Sequence, residues 1–397
     1  MMIRKTVLIL TFAAAALVMS CTPENTGSAV NGWENIGKDD HDKPGSENPE
    51  KPEIPDNPEK PEHFFKMRGL VLGWPEVSNA RVIDYISIAK KNGINTFSVY
   101  NAPRGTQVWT NFEKNCKDAK IDIEFEEHMM SFLLPRERFD NYPEWFRMDK
   151  NGNRTKDANG CPSSDGALNE VYRNAIDIGR RYASTNHRYY FWLDDGGDIC
   201  HCPKCKDLNA SDQALIFENK AIEALKTIDP EAKLAHLCYS NTLEPPRTVK
   251  PHEDIFLEFA PFFRTWDQPL ANTWAKGRSG ITHAEYLKQL KANLKVFPAA
   301  TAQVLEYWMD DSLFSGWDES NLVEVPWSNE IFLKDLETYA SHGITNITCY
   351  AAYVGPKYVQ KFGYPKFLDE YGQGLMNYGA EKQERCQTEN YEDNDKM

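Results

Sequence analysis

The chain has 397 residues, a formal net charge of −14 and a pI near 5.2. Its 59 acidic residues outnumber the 45 basic ones, and no segment gathers Lys and Arg into one basic face, which excludes nucleic acid as an expected partner. The length is sufficient for one large domain or for two smaller ones.

The first 21 residues have the form of a bacterial export signal. A basic start is followed by an apolar run over residues 7–19, which is too short for a membrane span. Ser20 and Cys21 then resemble the lipobox of bacterial lipoproteins, in which the cysteine is acylated and becomes the mature N-terminus. The sequence therefore predicts lipidation at Cys21 and a tether to the membrane, in the cell envelope on the outer membrane or cell surface. An ordinary signal peptide is the alternative.

Residues 22–63 are predicted to form a disordered linker. The segment is rich in Pro, Glu, Asp, Asn and Gly, and NPEKPE occurs at 48–53 and again at 57–62. Such a segment has too little apolar surface to offset the entropy lost on ordering. Half of the net charge lies in this linker, so little of it describes the folded domain. Residues 381–397 are predicted to be a polar tail.

Strand-like and helix-like segments alternate across residues 64–380. Helical periodicity is present between apolar runs, as in residues 213–228 and 285–297. The predicted strands are MRGLVLGW (67–74), INTFSVY (94–100), IDIEFEEHM (121–129), YYFWLDD (189–195), KLAHLCYS (233–240), DIFLEFAPF (254–262), AQVLEYWM (302–309) and ITNITCYAA (344–352). Eight such alternations predict one α/β domain with the fold of a (β/α)8 TIM barrel. A doubly wound open sheet is the alternative.

The C-terminal ends of the predicted strands carry mostly carboxylates and aromatic residues. Active sites of (β/α)8 barrels lie at these ends. The residues found there are Trp74, Tyr100, Glu126, Glu127, His128, Asp194, Asp195, Tyr239, Glu258, Arg264, Glu306, Tyr307, Trp308, Tyr350 and Tyr353. Aromatic faces stack on sugar rings, and paired carboxylates supply the acid and base of glycosidic cleavage. The pattern therefore predicts a carbohydrate site, although each aromatic residue alone also fits an ordinary core position.

Asp195 is the first predicted catalytic residue. It ends the fourth strand, and the two glycines after it let the chain turn and leave the carboxylate at the barrel mouth. Strand alternation predicts that Asp194 points another way and orients a partner or a substrate substituent. Glu306 on the seventh strand is the predicted second acid, with Glu127 and Glu258 behind it. Alternatively, the two aspartates only cap the following turn or support the cysteine loop.

Three segments resemble β-N-acetylhexosaminidase barrels. MRGLVLGW resembles their first strand, in which an arginine before a glycine binds sugar hydroxyls, and this resemblance implies that role for Arg68. EFEEHMM, with His128, resembles their third-strand rim, and LDDGGD is similar to their fourth-strand acidic pair, although those enzymes end the pair in glutamate. The predicted sugar-binding residues are Arg68, Trp74, His128, Glu258, Trp308 and Tyr353.

A closer resemblance is to a bacterial family of domains of unknown function, related to the hexosaminidase and α-glucuronidase barrels. It rests on YPEWFRMDKNGNR, the cysteine of GCPSSD, DDGGDICHCPKC and VLEYWMDD, and it covers most of the predicted barrel. The resemblance implies glycoside-hydrolase ancestry more firmly than it implies an activity.

Cysteines cluster in the loop after the fourth strand. Cys200, Cys202 and Cys205 form C-H-C-P-K-C, and the family resemblance implies that Cys161 lies near them. Four thiolates would hold a structural zinc ion in a closed tetrahedral site, and His201 could replace one sulfur. Two disulfides, which an oxidising compartment favours, and free thiols are the alternatives.

Three functions stay open. The first is a surface-anchored glycoside hydrolase that acts on an oligo- or polysaccharide and needs no cofactor for catalysis. The second is a non-catalytic glycan-binding lipoprotein on a degenerate glycosidase barrel, and the third is a structural or assembly role. Surface glycan-uptake proteins are the expected protein partners. The sequence lacks H-E-x-x-H, G-x-x-x-x-G-K-[ST] and G-x-S-x-G, so metallopeptidase, nucleotide-binding and serine-esterase functions have no support.

Overall fold

The structure is a computed structural model that describes residues 63–379. Cys21, the predicted export signal, the predicted tail and all of the predicted linker except His63 lie outside the described residues. Those predictions stay predictions.

The strands within residues 63–379 are short and belong to one sheet. They are β1 (Met67–Gly73), β2 (Thr96–Tyr100), β3 (Asp122–Glu124), β4 (Glu126–His128), β5 (Arg188–Trp192), β6 (Lys233–Cys238), β7 (Ile255–Phe259), β8 (Gln303–Glu306) and β9 (Asn346–Tyr350). They coincide with the eight predicted apolar runs, because β3 and β4 share the third run.

The sheet closes on itself through β3 and β4. Its strand order is β3-β2-β1-β9-β8-β7-β6-β5-β4, and every pairing is parallel. The two edge strands are consecutive pieces of one segment separated only by Phe125, and β3 pairs with β2 while β4 pairs with β5. The result is a nearly closed parallel barrel with eight strand positions. This confirms the predicted TIM-like barrel and is incompatible with an open doubly wound sheet.

Helices alternate with the strands and cover the outside of the barrel. They are α1 (Trp74–Val77), α2 (Tyr85–Asn92), α3 (Gln107–Asp118), α4 (Met130–Leu133), α5 (Asp165–Arg181), α6 (Ala210–Leu225), α7 (His283–Asn293), α8 (Asp311–Phe314), α9 (Asn329–Ser341), α10 (Pro356–Phe362) and α11 (Phe367–Asn377). Short 3-10 turns lie at Arg136–Asp140, Pro143–Trp145, Ser240–Thr242 and Glu319–Asn321. Helix α2 ends at Gly93, whose φ of 69° is the left-handed conformation that glycine adopts readily. In the described part of the chain, no helix is long and apolar enough to cross a membrane.

Alternation along each strand divides the side chains between the barrel lumen and the helix layer. On β8, Gln303 faces the lumen and donates to Thr348 Oγ1 at 3.0 Å, and Leu305 joins the apolar cluster of the lumen. Val304 and Glu306 face the helices instead. Both faces are buried because helices cover the outside of a parallel barrel. Whether a side chain at a strand end faces the lumen or the helices determines whether it reaches the mouth of the barrel.

Candidate active site at the barrel mouth

Aromatic rings line the mouth at the end of β9 and just beyond the ends of β7 and β8. Tyr307 stacks on Tyr350, with ring centroids 5.2 Å apart and an interplanar angle of 13°. Phe262 and Trp266, in the loop after β7, contact Tyr307 edge-on at 5.0 and 6.0 Å between centroids. Trp317 lies 6.5 Å from Phe262 and is 60% exposed. Such rings offer apolar faces and polar edges to a ligand.

Asp195 lies at the mouth with its side chain 65% exposed. The chain turns directly after it at Gly196, whose φ is 61°. Asp195 Oδ1 is 4.0 Å from His128 Nε2, and the Tyr239 hydroxyl lies near the Asp195 carboxylate. His128 Nδ1 donates to the Leu193 carbonyl, which leaves Nε2 toward Asp195. The structure therefore brings the predicted catalytic Asp195 and the predicted sugar-binding His128 together.

Asp194 has a different set of contacts from Asp195. Its carboxylate forms an ion pair with Arg136 and accepts a hydrogen bond from the backbone N–H of Asn159. The Asp194 backbone N–H donates in turn to Asn159 Oδ1 at 2.9 Å. Asp194 thus ties the segment after β5 to the loop before α5. This position fits the alternative in which Asp194 supports the loop, and it leaves Asp195 as the exposed member of the pair.

Asp310 is a buried carboxyl group at the mouth, beyond the end of β8. It caps α8 by accepting hydrogen bonds from Ser312 Oγ at 2.5 Å and from the Leu313 backbone N–H at 3.4 Å. Burial raises the pKa of Asp310 from its usual 3.8 to about 6. The Asp310 backbone N–H donates to the Tyr307 carbonyl at 3.2 Å, so Asp310 lies near the Tyr307–Tyr350 stack. Asp310 is therefore an acid that holds its proton much closer to neutral pH than an exposed aspartate does.

Glu76 and Tyr353 lie at the rim near β1 and β9. Glu76 Oε1 accepts a hydrogen bond from the Tyr353 backbone N–H at 2.8 Å, whereas Glu76 Oε2 is buried without a partner. Burial raises the pKa of Glu76. The Tyr353 hydroxyl donates to the Trp317 carbonyl at 3.4 Å. The predicted sugar-binding Tyr353 thus connects a buried acid to the exposed tryptophan of the rim.

Three carboxyl groups lie inside the lumen. Glu124, Glu126 and Glu258 are buried, and Gln303 Nε2 lies 3.5 Å from a carboxylate oxygen of both Glu126 and Glu258. Glu258 also accepts a hydrogen bond from Trp192 Nε1 at 2.7 Å. Burial raises the pKa values of all three, that of Glu258 to about 8. The predicted sugar-binding Glu258 therefore belongs to a buried, proton-holding group in the lumen and is not an open side chain of the rim.

Glu306 and Trp308 lie between the barrel and the helices. Glu306 Oε1 accepts hydrogen bonds from Arg264 at 2.8 Å and from the Tyr339 hydroxyl. Arg264 also forms an ion pair with Asp335 at 2.8 Å, and Trp308 Nε1 donates to Asp335 at 2.9 Å. Burial raises the pKa of Glu306 to about 7, and the charge of Arg264 opposes this shift. Neither residue faces the mouth, so the predicted roles of Glu306 as second catalytic acid and of Trp308 as a sugar platform do not fit their positions.

Arg68 and Trp74 are also not in the mouth. Arg68 is at the start of β1, and its guanidinium donates to backbone carbonyls at the N-terminal end of the barrel, including that of Gly93 at 2.5 Å. Trp74 packs edge-on against Trp109 and Phe112 of α3, with both centroid distances 5.8 Å. The predicted sugar contacts of Arg68 and Trp74 therefore do not fit this geometry, because one side chain lies at the far end of the barrel and the other packs on a helix.

Glu127 lies beside the loop that follows β2. Its two neighbours on β4, Glu126 and His128, face the other side of the strand, and the Glu127 carboxylate lies near the backbone of Asn101. Burial raises the pKa of Glu127, and the nearby charge of Arg104 opposes that shift. The predicted catalytic Glu127 is thus a partly buried rim acid, set apart from the group of Asp195 and His128.

The four cysteines of the predicted metal site come together next to the mouth. Cys161, Cys200, Cys202 and Cys205 are all buried, and their sulfur atoms lie within 4.8 Å of one another. The predicted substitute ligand His201 instead places Nε2 3.3 Å from Asp198. The cluster offers four thiol ligands, a set suited to zinc among other metals.

The chain matches the family described as a domain of unknown function, DUF4838, over residues 70–310. The match extends from β1 to the residue that caps α8 and covers more than half of the chain. The chain belongs to the DUF4838 family. This confirms the predicted membership in a family of domains of unknown function. No curated protein matches the DUF4838 chain.

Solved structures similar to the DUF4838 chain include glycoside hydrolases. A glycoside hydrolase family 20 β-N-acetylglucosaminidase is 8% identical, with 79% of this chain and 70% of that chain covered and a TM-score of 0.41. A GH5-4 broad-specificity endoglucanase from an uncultured bacterium is 9% identical, with 77% and 86% covered and a TM-score of 0.41. A β-galactosidase from the psychrophilic Marinomonas ef1 is 12% identical, with 71% and 53% covered and a TM-score of 0.43. At these identities the likeness concerns the barrel alone.

The mouth of the DUF4838 barrel combines an exposed carboxylate, a protonatable buried acid and a wall of aromatic rings. Two of its acids, Asp310 and Glu76, were not among the site residues predicted from the sequence. A signal for both was present, because VLEYWMDD and GWPE each place an acid shortly after a strand ends. An acid just beyond the end of a barrel strand is as good a candidate for the active site as an acid on the strand, because the loops after the strands form the site.

Proposed function

We propose that this DUF4838 protein binds and cleaves a carbohydrate at the barrel mouth. One observation carries the proposal: the exposed Asp195 and the protonatable Asp310 lie around the same group of aromatic rings. Asp195 lies near Tyr239, whose ring centroid is 5.6 Å from that of Phe262. Phe262 contacts the Tyr307 ring, and the Asp310 backbone N–H donates to the Tyr307 carbonyl at 3.2 Å. Glycosidic cleavage needs two carboxyl groups in opposite protonation states, and the different burial of these two supplies that difference.

Each side chain has a defined part in the proposed reaction. Asp310, with its pKa of about 6, donates a proton to the departing glycosidic oxygen. Asp195, which is exposed and therefore free to contact substrate, acts as the base or the nucleophile. His128 and Tyr239 orient the Asp195 carboxylate, and the stacked Tyr307 supports a sugar ring.

The acids of the proposed site are tested by two conservative substitutions. Asp310→Asn and Asp195→Asn each remove a carboxyl group with almost no change in volume, and we expect each to cut turnover by roughly 10² to 10⁴ fold while glycan binding is kept. Asp177→Asn, an exposed position on α5, is the matched control. Turnover is measured on whichever member of a plant and host glycan panel the parent protein cleaves. Near-parent turnover in either variant removes that residue from the proposed mechanism.

A non-catalytic glycan-binding function is the second candidate, and one observation favours it. Two of the four predicted catalytic acids, Asp194 and Glu306, are held in ion pairs with arginine side chains. If the parent protein binds a glycan but cleaves none of the panel, and Trp317→Ala abolishes that binding, the barrel is a binding module.

The membrane anchor, the location, the partners and the lack of a cofactor are also proposals. We propose that the barrel is lipid-anchored through Cys21 in the cell envelope, where glycans and surface glycan-uptake proteins would be its partners. We further propose that the chemistry needs no cofactor, because carboxyl groups alone supply it. A metal bound by four cysteine sulfurs would be structural, since such a site leaves no coordination position open.

A further inference from the structure

The four-cysteine cluster joins two loops that follow neighbouring barrel strands. Cys161 lies in the loop between β4 and α5, and the other three cysteines lie in the loop between β5 and α6. Both loops also contribute to the hydrogen bonds around Asp194, through Asn159 on one side and through Asp194 itself on the other. The cluster therefore lies where the two loops meet, close in sequence to Asp194 and Asp195.

Two of the distances between sulfur atoms match the edge of a tetrahedral metal site, and all four sulfurs lie within 4.8 Å of one another. With a Zn–S bond of about 2.3 Å, the edge of a regular tetrahedron of sulfur atoms is about 3.8 Å. Cys161 Sγ lies 3.8 Å from Cys202 Sγ and 3.9 Å from Cys205 Sγ. Cys161 is thus nearly equidistant from two sulfurs, whereas a disulfide would draw it to one of them at about 2 Å.

The groups around the sulfurs suit thiolates that carry negative charge. The Met148 backbone N–H donates to Cys200 Sγ at 3.3 Å, and Arg154 Nη1 lies 3.9 Å from the same sulfur. Ser163 Oγ lies 3.2 Å from Cys161 Sγ. Donors and a cation beside the sulfurs stabilise the thiolate forms that a metal requires.

A glutamine holds the backbone of the second loop in place. Gln213 of α6 accepts a hydrogen bond from the Cys200 backbone N–H at 2.9 Å and donates to the carbonyls of Cys200 and Cys205, at 2.9 and 3.2 Å. Because the loop is anchored on a helix, its three sulfurs are held in a fixed arrangement that Cys161 completes.

We infer that Cys161, Cys200, Cys202 and Cys205 bind one zinc ion in a closed tetrathiolate site, which clamps the loops after β4 and β5 beside Asp195. The site is structural, because all four positions around the ion are taken by protein. The inference does not rest on the proposed carbohydrate chemistry, and its tests use no activity measurement.

Metal content and thiol chemistry of the full chain test the binding. We expect about one zinc per chain by elemental analysis, released as a mercurial reagent modifies these four thiols. Cys161→Ser should lose the zinc, and Cys116→Ser, at a buried cysteine elsewhere in the structure, should keep it. If the four cysteines of the parent protein are alkylated only after reduction, or are all alkylated at once in a metal-free protein, the zinc site is refuted. This measurement on the parent protein stands even if Cys161→Ser does not fold.

Amide hydrogen exchange tests the clamp. Removal of the metal with a chelator should lower the melting temperature and speed exchange in residues 157–161 and 194–205, because bound metal stabilises only the folded site. Helix α9, on another part of the barrel, should keep its exchange rates and serves as the internal control. Unchanged exchange in the two loops after complete zinc removal would show that the metal does not hold them.

Discussion

Replacement of Glu306 by alanine should destabilise the barrel, because the structure makes Glu306 part of a buried ion-pair group. Its carboxylate bonds to Arg264 and to the Tyr339 hydroxyl, and both ionic side chains of the pair with Arg264 are 0% exposed. The substitution leaves Arg264 with only Asp335 as a charged partner and leaves the phenol without its acceptor. Each of these losses places an unsatisfied polar group in the interior.

The expected size follows from the burial of the pair. Leaving one buried polar group unsatisfied costs about 1–3 kcal/mol, so the losses at Arg264 and at Tyr339 together should cost about 3–5 kcal/mol. Unfolding entropy is about 2.1 cal/mol/K per residue, or roughly 0.7 kcal/mol/K for the 317 described residues. The melting temperature of Glu306→Ala should therefore fall by about 4–8 °C relative to the parent protein.

Thermal unfolding followed by circular dichroism measures this change at about pH 8, above the Glu306 pKa of about 7, where the carboxyl group is ionised. Glu253→Ala, at an exposed glutamate, is the matched control and should melt within about 1 °C of the parent protein. The reasoning is refuted if Glu306→Ala melts like the control. A large loss of turnover with unchanged melting would instead restore Glu306 as a catalytic acid.

Two further predictions concern the lumen and the anchor. Burial raises the Glu258 pKa from 4.5 to about 8, so the native state keeps a proton that the unfolded chain releases. The stability that this bound proton gives the native state is fully present below about pH 4.5 and is lost as the pH rises toward 8. The melting temperature should accordingly fall between about pH 5 and 9, and Glu258→Gln should flatten that fall, so parallel curves for parent and variant would contradict the assignment. Cys21→Ala should move the protein from the membrane pellet to the soluble fraction while the barrel keeps its melting temperature, and a variant that still sediments after a carbonate wash would disprove the lipid anchor.

The sequence by itself was sufficient to predict the barrel fold and some of the residues at its mouth. Eight apolar runs separated by helical periods predicted the strand positions, because buried strands and amphipathic helices leave different spacings of apolar residues. Asp195 could be predicted at the mouth because two glycines follow it, and Gly196 does adopt a positive φ. His128 and the aromatic rim could be predicted from their places at strand ends.

Only the tertiary structure decided which side chains face the mouth. Glu306 and Tyr307 are neighbours in sequence, yet one faces the helices and the other stacks on Tyr350 beside the lumen. In a parallel barrel both faces of a strand are buried and apolar, so the sequence pattern does not tell the lumen side from the helix side. The sequence pattern also does not show toward which end of the barrel a long side chain extends. Arg68 extends toward the N-terminal end because backbone carbonyl groups there accept its hydrogen bonds. The position of Asp310 at the mouth also depends on the tertiary structure, because the path of the chain between β8 and α8 determines where this residue lies.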